Sequence, residues 1–301
     1  MQHRPDAPFG RVLTAIVTPF DGNGAVDYAA FWKLINHLYR HGSDGIVVAG
    51  TTGESATLSK PEKVALFRAA VDAAKGSMSV IAGTGTYDTA ASIALTEAAA
   101  EAGVDAAMAV TPYYTKPPQE GIAAHMRAIA ESTDLPLMVY NIPGRSATRI
   151  EIDTLVDLAG HPSIVAVKDA VDDVDWSVRA IEALPEGFAV YSGSDTVTKD
   201  LVAANAVGVV SVTSHLAGPE ISTMVEATLK EDWERANLIN DLLKPLNQSL
   251  FEEPSPMPLK GALNEFWDDV GEPRLPLLPA KESTVQAVGR ALEPVLAFRG
   301  T

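Results

Sequence analysis

A lysine stands at the end of a strand-like apolar segment, where a buried charge is not expected. The segment is SIVAVKDA: Ser163 to Val167 predict a strand buried on both faces, and Lys168 follows at once. Lysine is among the side chains least often found fully inside a protein. A desolvated lysine has a lowered pKa and becomes a nucleophilic amine, which can form a Schiff base with a 2-oxo acid. Loss of a proton from the neighbouring methyl group then gives an enamine that can attack an aldehyde.

Hydroxyl-bearing side chains follow other apolar segments. Tyr140 in YNIPGR can act as an acid and a base, and Thr51 in GTTGES and Tyr114 in TPYY can extend a proton relay. The glycines of GTTGES let backbone N–H groups approach a small anion, and Thr52 adds a hydroxyl. Each residue alone has an ordinary explanation, such as a surface lysine, a core tyrosine or a tight turn. Their common position at strand ends favours a chemical role.

Eight short apolar segments, separated by helical patterns, would position these residues. The segments lie near Ile16, Val47, Ile81, Met108, Val139, Val165, Val190 and Val210, at steps of 20 to 34 residues. This alternation predicts a (β/α)8 TIM barrel, in which catalytic residues stand at the C-terminal ends of the strands. The alternative is an open doubly wound sheet. Its glycine-rich phosphate turn is not well formed here, because GTGTY after the third segment has only two glycines.

The sequence after the eighth segment is longer than one closing helix requires. We expect a catalytic barrel over residues 1–217 and a C-terminal helical subdomain of three helices or so over residues 218–301.

The charge and composition exclude several classes of function. The net charge is -16, and such a surface repels nucleic acid and anionic membranes. A carboxylate substrate would therefore need a local cation. The absence of cysteine excludes disulfides, thiolate metal sites and a cysteine nucleophile. No apolar run is long enough to span a membrane, and the N-terminus is unlike a signal peptide, so we expect a cytoplasmic protein.

Six motifs occur in the order in which one enzyme family carries them: GTTGES, TPYY, YNIPGR, VAVKD, SGSD and EPSPMPLK. Over residues 10–295 the chain closely resembles the class I pyruvate-dependent aldolases that include dihydrodipicolinate synthase and N-acetylneuraminate lyase. The resemblance implies a TIM barrel, a lyase of the diaminopimelate and lysine pathway, and a homotetramer made of two tight dimers. It implies no metal and no cofactor.

The resemblance also implies catalytic roles. Lys168 would form the Schiff base with pyruvate, and Tyr140 would donate and accept protons. Thr51 and Tyr114 would complete the relay, with Tyr114 reaching in from a neighbouring subunit.

Substrate-binding roles follow from the same resemblance. Thr52 and the backbone of Val210 would contact pyruvate, and Gly193 would belong to the substrate-binding residues. Arg145 would hold the carboxylate of L-aspartate 4-semialdehyde, and it would supply the local cation that the acidic surface requires. The segment after Arg145 reads SATRI, where many synthases carry Thr-Gly, which leaves the shape of this loop open.

Two alternatives to this function remain. One is another pyruvate aldolase or lyase of the family, such as N-acetylneuraminate lyase or a 2-keto-3-deoxy sugar acid aldolase or dehydratase. The other is a barrel that has lost activity and only binds, which would be expected to lack the lysine or a relay hydroxyl. Lysine-sensitive relatives bind the inhibitor through histidines, an asparagine and a glutamate, whereas the matching positions here are Lys60, Lys63, Tyr87 and Ala91. We therefore expect no appreciable inhibition by lysine.

Overall fold

The computed structural model describes residues 6–299, and its centre is a closed barrel of eight parallel strands in sequential order. The predicted (β/α)8 barrel is confirmed. The strands are β1 Val12–Ala15, β2 Gly45–Val48, β3 Ser79–Gly83, β4 Ala106–Val110, β5 Leu137–Asn141, β6 Ile164–Asp169, β7 Ala189–Ser192 and β8 Gly208–Ser211.

Twelve α-helices of the described residues surround and extend this barrel. Those up to the last strand are α1 Tyr28–Arg40, α2 Lys60–Ala74, α3 Thr89–Ala102, α4 Gln119–Ala130, α5 Pro143–Ser146, α6 Ile152–Ala159, α7 Val174–Ala183 and α8 Thr198–Ala203. Those after β8 are α9 Ser214–Leu229, α10 Trp233–Ser249, α11 Met257–Phe266 and α12 Glu282–Arg299.

Local signals in the sequence set the helix ends. Ser59 and Glu62 form a capping box at the start of α2, and this box satisfies two backbone donors. Gly103 ends α3 with a φ of 82°, a left-handed conformation that favours glycine. The capping box fixes the start of α2 and thus the length of the loop that follows β2. Gly103 fixes the end of α3 and thus the length of the connection to β4.

Buried side chains fill the barrel interior. Leu13, Val47, Ile81 and Met138 belong to one buried cluster inside it. Alternation along β6 puts Lys168 on the same inward face as Ala166, which belongs to this cluster, but nearer the C-terminal end of the strand. The apolar interior thus ends directly beneath the amine.

The segment after β8 forms four helices among the described residues, one more than the expected three or so. The first of them, α9, begins at Ser214 and departs from helical backbone at Ala217, so it crosses the predicted boundary between residues 217 and 218. The division into two domains stays a prediction. Within residues 6–299, no helix combines the length and apolar character needed to cross a membrane.

Candidate active site

A cavity of about 350 Å³ opens at the C-terminal ends of the strands. Its wall includes Thr51 after β2, Tyr113 after β4, Tyr140 on β5 and Arg145 on α5. The segment after α10 contributes Ser255, Pro276 and Leu277. Two of the four predicted catalytic residues thus share a cavity with the predicted carboxylate-binding arginine.

Lys168 lies near the C-terminal end of β6, beside Tyr140, which lines this cavity. Its side chain is only 6% exposed, and its Nζ atom lies 4.2 Å from the centre of the Tyr140 ring. Burial lowers the pKa of Lys168 to about 8, with the Asp195 carboxylate acting in the opposite direction and Arg145 adding to the decrease. At pH 7 about a tenth of the amine is then neutral. This neutral fraction is enough for nucleophilic attack, and the role of Lys168 as the nucleophile stays a prediction.

Tyr140 is the direct neighbour of Lys168 in the sheet, since the two residues pair across β5 and β6. Burial raises the pKa of Tyr140 to about 12, and the opposing effects are the Arg145 charge and a hydrogen bond with the Thr51 side chain. The phenol is therefore neutral at physiological pH and can donate a proton. Thr51 and Tyr140 line the same cavity, and their joint action in a proton relay stays a prediction.

Arg145 is placed by a short loop that is tied back to its own strand. The Asn141 side chain donates to the Ile150 carbonyl at 3.1 Å and accepts from the Ile150 N–H at 2.9 Å. Ser146 donates to the Ile142 carbonyl at 2.9 Å and to the Thr148 carbonyl at 2.7 Å. These hydrogen bonds define the shape of the loop over SATRI, which the sequence does not determine. In this loop Arg145 is exposed and lines the cavity.

The predicted substrate-binding residues other than Arg145 do not line the cavity. Thr52 and Val210 are buried, and neither belongs to the residues that line the cavity. At Gly193 an added Cβ would lie 2.8 Å from the Ala170 Cβ and 2.9 Å from the Asp169 carbonyl oxygen. Glycine is therefore required for the close approach of β6 and β7. Contact of these residues with pyruvate stays a prediction.

Tyr114 does not lie in the cavity of its own chain. Its side chain is 90% exposed, and its φ of 71° is in the left-handed region that non-glycine residues rarely adopt. The neighbouring Tyr113 lines the cavity and packs edge-on against Tyr87, with ring centres 5.3 Å apart. The exposure of Tyr114 fits the expected role in a neighbouring subunit, which stays a prediction.

The sequence analysis assigns no role to Asp195, although this residue belongs to the motif SGSD. Its buried carboxylate accepts from the Ser211 hydroxyl at 2.5 Å and from the N–H groups of Val212 and Thr213 at 2.8 and 3.0 Å. It therefore fixes the end of β8, and it favours the charged form of Lys168. An acidic residue just after a barrel strand was the available signal.

Comparison with known proteins gives the family. Residues 8–295 match the dihydrodipicolinate synthetase family. A 4-hydroxy-tetrahydrodipicolinate synthase from Desulforudis audaxviator is 48% identical over 274 residues, which cover 91% of this chain and 93% of the relative. The chain belongs to the dihydrodipicolinate synthetase family. The family resemblance that the six sequence motifs indicate is confirmed.

Solved structures of this family superpose closely on the chain. Dihydrodipicolinate synthase from Cyanidioschyzon merolae, solved with lysine bound, has a TM-score of 0.94 and 43% identity, covering 96% of this chain and 99% of the other. The chloride-inhibited enzyme from Acinetobacter baumannii, solved with pyruvate, has a TM-score of 0.93 and 39% identity, covering 95% and 99%. As a member of the dihydrodipicolinate synthetase family, the chain is a lyase-type aldolase with a TIM-barrel fold.

Proposed function

We propose that the chain condenses pyruvate with L-aspartate 4-semialdehyde through a Schiff base on Lys168, the reaction of a 4-hydroxy-tetrahydrodipicolinate synthase. The observation that carries the proposal is the buried Lys168 amine, 4.2 Å from the ring of Tyr140, which lines a cavity that Arg145 also lines. The 48% sequence identity between this chain and the synthase from Desulforudis audaxviator supports the same reaction. A cytoplasmic location is part of the proposal.

The reaction begins with attack of the neutral Lys168 amine on the C2 carbon of pyruvate. Tyr140 supplies the proton with which the carbinolamine oxygen leaves as water, and the protonated iminium results. Loss of a methyl proton gives the enamine, whose carbon attacks the aldehyde carbon of the second substrate. The α-amino group of that substrate then attacks the iminium carbon, which closes the ring and releases Lys168.

Arg145 favours this reaction over those of the family's sugar-acid lyases. A guanidinium at the cavity mouth is suited to a carboxylate on a small aldehyde, to which it can donate two parallel hydrogen bonds. A polyol chain would be bound better by hydroxyl and amide groups. The inactive alternative is disfavoured because the sequence retains the lysine and all three residues of the predicted relay.

The proposal is tested by a coupled assay of the purified protein with pyruvate and each candidate aldehyde. We expect turnover with L-aspartate 4-semialdehyde and little cleavage of N-acetylneuraminate. Efficient cleavage of N-acetylneuraminate with no turnover of the semialdehyde would assign the chain to the other branch of the family.

Arg145→Ala is expected to impair use of the aldehyde and to spare formation of the pyruvate adduct. Loss of a charge-assisted contact costs about 1.5–3 kcal/mol, so kcat/KM for the aldehyde should fall by roughly one to two orders of magnitude. Arg149→Ala is the matched control, because Arg149 pairs with Glu151 and does not line this cavity. An equal loss for both substrates in Arg145→Ala would indicate a structural role instead.

We also propose that Tyr114 acts in a neighbouring subunit of a homotetramer built from two tight dimers. Tyr114→Phe should lower activity without lowering the melting temperature, because the exposed hydroxyl takes no part in packing. Mixing Tyr114→Phe with Lys168→Ala subunits should restore activity, since each mixed dimer regains one intact site. Equal mixing would give about a quarter of wild-type activity. No recovery after proven subunit exchange would place Tyr114 in its own subunit's site.

Lysine is expected to have little effect on the rate. Binding its two ammonium groups needs carboxylates or other acceptors, and Ala91 offers none. Lys60 and Lys63 add like charge, and burial lowers the pKa of Lys63. Initial rates over a lysine titration at constant pH and ionic strength measure this. A saturable decrease, absent with a matched salt, would show that a functional inhibitor site exists.

A further inference from the structure

A buried ion pair joins the GTTGES turn to the C-terminal helices. Lys260 Nζ, from α11, lies 2.7 Å from Glu54 Oε1, and these side chains are 0% and 1% exposed. The same Nζ lies 4.1 Å from the centre of the Phe20 ring and donates to the Glu272 carbonyl at 3.3 Å. Removing two charges from water is costly, so such a pair is poor evidence of a device for stability alone.

The second oxygen of the Glu54 carboxylate is held by the same C-terminal segment. The backbone N–H of Arg274 donates to Glu54 Oε2 at 2.8 Å. The Arg274 guanidinium lies 4.3 Å from the Phe20 ring centre and donates to both carboxylate oxygens of Glu62 on α2. It also donates to the carbonyls of Gly24 and Thr57 at 2.8 and 2.9 Å. Both oxygens of Glu54 are thus fixed by groups that lie outside the barrel.

The turn that carries Glu54 has an unfavourable backbone and needs such anchors. Glu54 has a φ of 56°, in the left-handed region. Its N–H donates to the Thr51 carbonyl at 3.1 Å, and the Thr18 hydroxyl donates to the Gly53 carbonyl at 2.7 Å. The backbone of Glu54 is therefore joined directly to Thr51 within this turn. Thr51 and Tyr140 line the same cavity, and the Thr51 side chain counteracts the increase that burial causes in the pKa of Tyr140.

We propose that the Glu54–Lys260 ion pair is a positioning device that holds the Thr51 hydroxyl against the Tyr140 phenol. Glu54 and Lys260 act through Thr51, and they are positioning residues rather than catalytic ones. The C-terminal helices thereby take part in proton transfer, in addition to walling the cavity. The inference rests on the proposed Schiff-base chemistry, but not on the identity of the aldehyde.

Exchange of the pyruvate methyl protons with deuterated water isolates this step. Exchange requires the Lys168 adduct and the proton relay, and it requires no aldehyde. The rate of exchange is divided by the amount of adduct that borohydride traps on Lys168, so that a loss of folded sites does not affect the result. A merely structural role of the ion pair would leave this ratio unchanged.

The decisive variant is Glu54→Gln/Lys260→Met, which removes both charges at similar volume. Lys260→Met alone leaves a buried, unpaired carboxylate and should melt at a lower temperature than the double variant. We expect the double variant to regain most of that loss while its exchange ratio stays at least about ten-fold below wild type. If the Lys260 variants do not fold, the exchange ratio of Glu54→Gln alone is compared with that of the wild type, and the same decrease is expected.

The matched control is the ion pair of Arg299 and Glu220, which joins two of the C-terminal helices, α12 and α9, to each other. Arg299 Nε lies 2.6 Å from Glu220 Oε1. Glu220→Gln/Arg299→Met should keep the wild-type exchange ratio. A similar loss in this control would show that any loosening of the C-terminal helices slows exchange, which would overturn the proposal.

A double-mutant cycle that combines Thr51→Val with the ion-pair variant tests whether the ion pair acts through Thr51. Thr51→Val should lower the exchange ratio in the wild-type background and add little in the Glu54→Gln/Lys260→Met background, because residues of one network are not additive. Full additivity, or a wild-type exchange ratio in the double variant, contradicts the proposal. A wild-type protein that traps no adduct at all would refute the Schiff-base function itself, whereas failure of the semialdehyde alone would refute only the second substrate.

Discussion

Lys168→Ala is expected to lose at least about three orders of magnitude in kcat, because the covalent intermediate cannot form. The variant should remain folded, since it removes a desolvated amine from an otherwise apolar interior. Lys199→Ala is the matched control, because Lys199 is paired with Asp200 and Asn237 away from the cavity. Steady-state rates and melting temperatures measure both variants. Residual activity within about ten-fold of wild type would mean that another amine does the chemistry.

The same lysine predicts the pH dependence of adduct formation. Its pKa is lowered to about 8, and only the neutral amine attacks pyruvate. The rate of adduct formation should therefore rise as the pH increases through about 8 and level off above it. In Asp195→Asn the midpoint should move to lower pH, because the carboxylate that favours the ammonium form is lost.

Tyr140→Phe is expected to lower the condensation rate by roughly 10²–10⁴-fold, the usual loss when one general acid–base group is removed. The ring that packs against the Lys168 amine is kept. The N–H and hydroxyl of Thr111 donate to the Tyr140 carbonyl at 2.9 and 3.0 Å, so the strand is kept as well. The pyruvate adduct should still form, but slowly. Stopped-flow adduct formation and steady-state turnover separate the two steps.

Tyr191→Phe provides the control for this prediction. Tyr191 also pairs with Lys168 in the sheet, and burial raises its pKa. Its hydroxyl donates to the Gly10 carbonyl at 2.9 Å, and it accepts from the Phe9 N–H at 3.3 Å. This variant should lose stability and keep most of its activity. Comparable catalytic losses in the two variants would show that the Tyr140 hydroxyl has no specific role.

The strand ends and their chemistry could be predicted because they depend on local patterns. Buried strands are read from runs of β-branched residues, and a lysine after such a run is conspicuous. The capping box of Ser59 and Glu62 is likewise a signal within four residues. Lys168 and Tyr140 then come together automatically, because neighbouring parallel strands align their C-terminal ends.

The contacts that hold the strand-end loops in position could not be predicted, because they join residues far apart in the sequence. Nothing near Glu54 in the sequence indicates that its carboxylate meets Lys260 and Arg274. The motif EPSPMPLK contains Lys260, but the motif alone does not indicate a role for this lysine. The near-complete exposure of Tyr114 is also a property of the folded loop, whose backbone adopts a positive φ.

The central claim is the covalent role of Lys168, and trapping of the pyruvate adduct tests it most directly. The wild-type protein is incubated with pyruvate, reduced with borohydride, digested and mapped by mass spectrometry. The account predicts one reduced pyruvate per chain, attached to the peptide that contains Lys168. The adduct should be missing from Lys168→Ala and present in Arg145→Ala. An adduct on another lysine, or none in the wild type, would contradict the account.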